Sequence, residues 1–170
     1  IVSSLVIIAA FAAYAGHPDT SPKRFPYESV IKHMPMAAGG DMRFHITIHK
    51  PYTNWARWPG KGEMYVGKEP HGSFLTTYVS EIALDSINKA TGMADSSIIV
   101  KENYDSNKQL AAVTVMYKVE GFNPSGGDWF WAKYDPEFNI LAEGKVDDCI
   151  KCHASVKNND YIFTGKVTGK

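Results

Sequence analysis

The stretch Ser97–Glu120 reads SIIVKENYDSNKQLAAVTVMYKVE. In its second half Val113, Val115, Tyr117 and Val119 fall on every second position, and Thr114, Met116 and Lys118 fill the gaps. A period of two marks a strand with one buried face, and the β-branched content suits a pleated surface. SIIVKENY reads as a strand too, and polar Asp105-Ser106-Asn107-Lys108 between the two is a hairpin turn. An antiparallel pair therefore sits at the centre of the chain.

Working outward, WFWAKY (129–134) is a further strand, bounded by the loop NPSGGD (123–128) and the turn DPEFN (135–139). Upstream the period lengthens. Val79, Ile82, Ala83, Ile87 and Ala90 recur at helical spacing, with Ser80 placed to cap the N-terminus and Gly92 to end the run. Before this lies NWARWPGKGEMYVGKEPHG (54–72), which is rich in turns and punctuated by Gly60, Gly62, Gly67 and Gly72. RFHITIHKPY (43–52) alternates apolar and polar side chains and is expected to be a strand. The fold class expected is α+β, mainly antiparallel β-sheet with few helices, preceded by an N-terminal transmembrane helix.

That transmembrane helix is read from Ile1–Pro18, IVSSLVIIAAFAAYAGHP, which carries no charge. As a helix it would span about 27 Å, close to the thickness of a bilayer core. A signal peptide is the competing reading, because Ala13-Tyr14-Ala15 resembles a cleavage site. Residues 1–18 are taken as a membrane anchor and 19–42 as a tether, broken by Pro22, Pro26 and Pro35 and loosened by Gly39-Gly40. Residues 43–170 form the domain. The 170 residues carry 18 basic and 18 acidic side chains, so the balance gives no reason to expect nucleic acid as a partner. With 4 Trp, 9 Tyr and 8 Phe the chain can wall in a flat apolar group, or simply fill a core.

The chain's only 2 cysteines lie in VDDCIKCHASVKNND (146–160), as Cys149 and Cys152 with His153 directly after. C-x-x-C-H is the haem-attachment string: two thiols bond the macrocycle and the imidazole reaches the iron from one face. Three other readings compete. A redox dithiol needs a lowered thiol pKa, which Asp147 and Asp148 oppose. A structural zinc needs four ligands, and the chain has too few cysteines. A lone disulfide or a packed thiol pair completes the set. The full five-residue match favours one covalently attached haem c, with His153 as the metal ligand. Such attachment takes place outside the bacterial inner membrane. The domain is therefore expected on the periplasmic side, although Lys23 and Arg24 after the anchor pull the other way.

These segments together resemble the cytochrome P-460 and cytochrome c′-beta family, β-sheet c-type cytochromes with the haem motif near the C-terminus. The likeness runs from Pro51 to Val167. It is carried by GDWFWAKYDPEF, by DDCIKCHASVKNNDYIFT, by TTYVSEIALDSINKATGMADSSIIVKE and, more weakly, by YTNWARW. The resemblance implies an antiparallel-sheet dimer. It also implies a lysine beside the haem: cross-linked to the ring in the hydroxylamine-oxidising branch, not linked in the branch that binds nitric oxide. The matching lysine is Lys101. Alternation alone leaves it open between a site residue and a solvated lysine.

Lys101 and Glu102 are the candidate catalytic residues, with Lys101 also counted among the cofactor contacts Cys149, Cys152 and His153. Tyr104, Glu143 and Arg57 are further polar candidates for an open iron face, where a carboxylate would accept protons. His71 sits in a Pro-His-Gly turn that can offer its ring to a cofactor, and His45 and His49 share a face. Met64, Met93 and Met116 are potential axial ligands, though core packing explains most methionines. The expected function is a redox haem protein with a site for a small nitrogen ligand, through hydroxylamine oxidation or nitric oxide binding. The alternative is an electron-transfer subunit of a membrane complex. The partners expected are the membrane, redox proteins and a second copy in a homodimer.

Overall fold

The computed structural model describes residues 34–169, so the expected anchor and most of the tether lie outside the described residues. Among the described residues no helix is long and apolar enough to cross a membrane. The elements are α1 (Gly39–Phe44), a π-helical turn His45–His49, β1 (Ala56–Arg57), β2 (Tyr65–Val66), β3 (Phe74–Val79) and α2 (Glu81–Lys89). Then come β4 (Ile98–Tyr104), β5 (Leu110–Lys118), β6 (Trp129–Tyr134), β7 (Ile140–Gly144), α3 (Asp147–His153) and a 3-10 segment Ala154–Asn159.

The strands form one antiparallel sheet in the order β1-β3-β4-β5-β6-β7, with β2 also paired to β3. The expected hairpin is its centre: Val100 faces Val115 and Lys101 faces Thr114 across the β4–β5 pair. Four strands had no sequence signal: β1 and β2, two residues each within the stretch read as turns, and β3 and β7. β3 is FLTTYV, with Thr76 and Thr77 buried at its middle, so no apolar–polar alternation survives. β7 is an edge strand with most side chains exposed.

Alternation gives the sheet two functional faces. One carries Ile98, Val100, Val113, Val115, Tyr117, Phe130, Ala132 and Tyr134 into a core closed by Met42 and Ile46. The other builds a second core from Ile99, Trp129 and Trp131, covered by Ala83 of α2 and by Ile162 and Val167 of the C-terminal segment. Each fully buried large apolar side chain contributes about 1.5–3 kcal/mol. These two slabs fix the sheet that carries the site.

The strand expected over 43–52 is corrected: this segment is the end of α1, the π-helical turn and the residues that follow. Phe44, Ile46 and Ile48 mimic a period of two, but Phe44 is 59% and Ile48 67% exposed. The buried set is Met42, His45 and Ile46, spaced i, i+3, i+4 as on a helix. Met42 belongs to the stretch read as tether, so the helical period was cut at its first member. The expected helix at Ser80–Ala90 is α2. Ser80 Oγ accepts from Ala83 N at 3.3 Å, as a cap should, and also from Ile98 N at 3.1 Å. The helix closes on Ala90 in the left-handed conformation, φ 54°.

Candidate functional site

On the second face of the sheet a cavity of about 800 Å³ lies between the strands, the loop before β3 and α3. This is within the ~300–1,000 Å³ of sites that enclose a sizeable ligand. Its floor is the register row Ile99–Met116–Trp131 and the next row, Lys101–Thr114–Lys133. Cys149, Cys152 and His153, His71 and Phe163 line the rest.

α3 presents the thiols. Cys149 and Cys152 stand one helical turn apart and so share a face, and both are free. Burial pushes the Cys149 thiol up, with Asp148 and Cys152 adding to the shift against the pull of Lys133. A raised thiol pKa is the reverse of what a redox dithiol requires.

His153 ends α3 and is buried. Its Nδ1 donates to the Tyr161 carbonyl at 2.6 Å. A carbonyl only accepts, so the ring proton sits on Nδ1 and Nε2 keeps a bare lone pair. Burial holds the ring's pKa below its ordinary value, partly offset by that hydrogen bond, and Lys101 lowers it further. The ring packs edge-on to Trp131 at 4.7 Å and Phe163 at 5.1 Å. The Tyr161 carbonyl is aimed by two successive left-handed residues, Asp160 at φ 52° and Tyr161 at φ 64°. Asp160 is itself tied down: its carboxylate accepts from Lys118 Nζ at 2.7 Å and from Met93 N at 2.8 Å.

Lys101 is half-buried on the cavity wall, and desolvation brings its ammonium down to about 8. Two positions along, on the same face, Asn103 is buried. Its Nδ2 donates to the carbonyls of Lys101 and Ala112 and to Thr114 Oγ1, at 2.9, 3.1 and 3.2 Å. That leaves Oδ1 for His71 Nδ1, 2.9 Å away.

Other sequence candidates lie elsewhere. Alternation puts Glu102 on the opposite face, where it accepts from the Tyr52 hydroxyl at 2.8 Å and the Tyr104 hydroxyl at 2.7 Å. Arg57 pairs with Glu63 at 3.0 Å on the surface. Exposed Glu143 accepts from the Gly39 amide, and His45 and His49 contact each other one turn apart beside Trp55. Met93 is in the second core and Met64 is not among the cavity residues, whereas Met116 is on the cavity floor. Sequence reasoning missed Asn103, Trp131, Phe163 and the Tyr161 carbonyl. Asn103 was within reach, being two residues from Lys101 on a known strand. A backbone carbonyl leaves no sequence signal.

The residues fit a c-type haem. Two thiols and a bare imidazole nitrogen line one cavity, and among the described residues no group of three or more His, Cys, Asp or Glu side chains is arranged to hold a metal alone. The buried Trp131 indole N–H at the floor has no hydrogen-bond partner. Leu141 and Phe163 stand 56% and 52% exposed on the cavity's lining, as apolar walls awaiting a cover. Sheet and donor set together define a β-built haem c protein. A family model, Cytochrome P460, matches residues 51–164, and the chain belongs to that family of haem c proteins. The match nearly coincides with the Pro51–Val167 span expected from the segments. No curated protein matches the chain closely.

Proposed function

We propose that the cavity holds a single haem c, bonded to Cys149 and Cys152 and ligated by His153, and that the protein is a redox haem protein. The observation that supports this most directly is the convergence of both thiols and the His153 ring on one cavity from a single short helix. When bound, the haem supplies one-electron chemistry and an electrophilic iron. The chain contributes the rest. The Tyr161 carbonyl holds the proton on His153 Nδ1 and directs the opposite nitrogen to the metal. Leu141 and Phe163 supply apolar surface on the cavity's lining. Lys101 offers an amine whose pKa, brought down to about 8, lets it take up and release protons near neutrality. That supports a site for a small nitrogen ligand, by hydroxylamine oxidation or nitric oxide binding. Glu102 does not take the proton-accepting role there, because it faces the other core.

A second reading, electron transfer within a membrane complex, is favoured by His71, whose ring also reaches the cavity. For either reading we propose anchoring on the periplasmic side through residues 1–18, with redox proteins and a second copy of the chain as partners. The uncharged N-terminal stretch and the attachment of haem c outside the inner membrane support this placement.

The test is the full chain produced with haem-attachment machinery. A haem that resists acid extraction, one haem's mass on the Cys149–Cys152 peptide, and no alkylation of either thiol are expected. A second mass link at Lys101 selects the hydroxylamine branch. Colourless protein with two reactive thiols sinks the proposal.

A further inference from the structure

His71 is the second histidine that lines the cavity. The loop that carries it is held tightly. Gly67 N donates to Ser73 O at 2.8 Å and His71 N to Lys68 O at 3.1 Å. Gly72 has φ 98°, and a Cβ there would meet the Tyr104 carbonyl oxygen at 2.5 Å, so only glycine lets this loop lie against β4. The His71 ring is thus placed by backbone on one side and by Asn103 on the other.

The Asn103 bond also fixes the tautomer. Three acceptors consume the amide's Nδ2 side, so Oδ1 faces His71 and can only accept. The proton must therefore sit on His71 Nδ1, and Nε2 is bare. His153 has the same arrangement, with the Tyr161 carbonyl in place of Asn103. Among the described residues neither Nε2 has a hydrogen-bonding partner. One cavity therefore holds two imidazoles, each with its Nδ1 bonded to an acceptor and its Nε2 left over.

Their separation is informative. The ring centres lie 6.1 Å apart with the planes at 89°. Two imidazoles sharing one ion place their centres roughly 6 Å apart, from about 2 Å per metal–nitrogen bond and about 1 Å from nitrogen to ring centre. Direct contact between two rings does not require both Nδ1 atoms to be anchored outward; a shared ion does.

We propose that His71 is the second axial ligand of the haem iron, opposite His153, with Asn103 as its positioning residue. This inference rests on the haem reading above. The resting iron is then six-coordinate and closed. It exchanges electrons without a change of ligand, and a small nitrogen ligand reaches it only by displacing His71.

The test uses the full haem-loaded chain in its ferric form. Electron paramagnetic resonance should give a low-spin signal of the strongly anisotropic kind that perpendicular imidazole planes produce. Near-infrared magnetic circular dichroism should show the charge-transfer band of a bis-imidazole pair. His71→Ala should lose the low-spin signal, recover it when free imidazole is added, and bind carbon monoxide faster once reduced. The wild-type paramagnetic resonance and magnetic circular dichroism spectra decide the matter if that variant does not fold. A red but high-spin wild-type protein, a band typical of methionine or amine ligation, or a His71→Ala spectrum like wild type would overturn this inference alone. A colourless chain overturns the haem reading and this inference with it.

Discussion

Lys101 and Glu102 are joined by one peptide bond and live in different surroundings. Lys101 loses water to a cavity and its ammonium is pushed down to about 8. Glu102 anchors two tyrosine hydroxyls in the opposite core, where burial and the nearby carboxylate raise both phenols above their ordinary value. The separation was implicit in the period of two: a strand that aims position 101 at one face aims 102 at the other. The resemblance fixed which face mattered, and alternation then excludes Glu102 from it. We expect Glu102→Leu to cost about 2–3 kcal/mol, because a buried hydroxyl and a half-buried one lose their acceptor, while the visible spectrum of the haem-loaded protein stays as in wild type. Lys101→Ala should do the reverse, changing the spectrum or the ligand-binding rate with little loss of stability. Urea titrations beside absorption spectra of both variants check the pair; a spectral change in Glu102→Leu would move that residue back to the site.

Elements were legible where one periodicity dominated and opaque where two overlapped. The β4–β5 hairpin and α2 each repeat a single spacing over eight or more residues, and both stand where the pattern places them. β3 hides because buried threonines erase its polarity contrast, β7 because an edge strand buries little. α1 and its π-helical turn misled because exposed Phe44 and Ile48 imitate a strand. The same turn carries a pH dependence. Burial lowers His45 to about 4, helped by His49 and Lys50, against 6.5 in the unfolded chain. Between those values the unfolded chain binds more protons, so stability is complete above pH 6.5 and falls as the pH drops toward 4. The loss from His45 is at most about 3 kcal/mol. In the haem-free chain His71 and His153 add losses of the same sign, so the contribution of His45 is the difference between wild type and His45→Phe. Denaturation midpoints at pH 7 and 4.5 should show a smaller drop in the variant; equal drops would exclude His45. At the start of α2, Ser80→Ala strips an acceptor from Ala83 N and Ile98 N together, and about 1–2 kcal/mol should go with it in thermal unfolding. A change below the error of the measurement would mean water replaces the cap.

At the scale of the molecule the site depends on residues far apart in sequence, which is why the donor set could be read and its support could not. The five residues Cys149–His153 advertise the cofactor by themselves. The orientation of His153 depends on Asp160, which gathers three distant parts of the chain. Lys118 of β5 pairs with it at 2.7 Å, Met93 before β4 donates its amide, and the Trp129 indole of β6 donates to its carbonyl oxygen at 3.1 Å. Lys118 also lies over the Trp129 ring at 4.9 Å, so one cation serves both partners. Both ends of the ion pair are largely shielded, with 17% and 14% of the side-chain surface exposed. Removing one partner therefore strands the other's charge. We expect Asp160→Ala to cost about 2–4 kcal/mol and to leave the Tyr161 carbonyl poorly aimed. Lys118→Met added to Asp160→Ala removes the stranded charge and should recover part of the stability. It cannot restore the turn that holds the carbonyl at His153 Nδ1, so the haem's reduction potential should stay shifted from wild type in both variants. A double mutant that regained stability and potential together would place the control of His153 elsewhere than in the Asp160–Tyr161 turn.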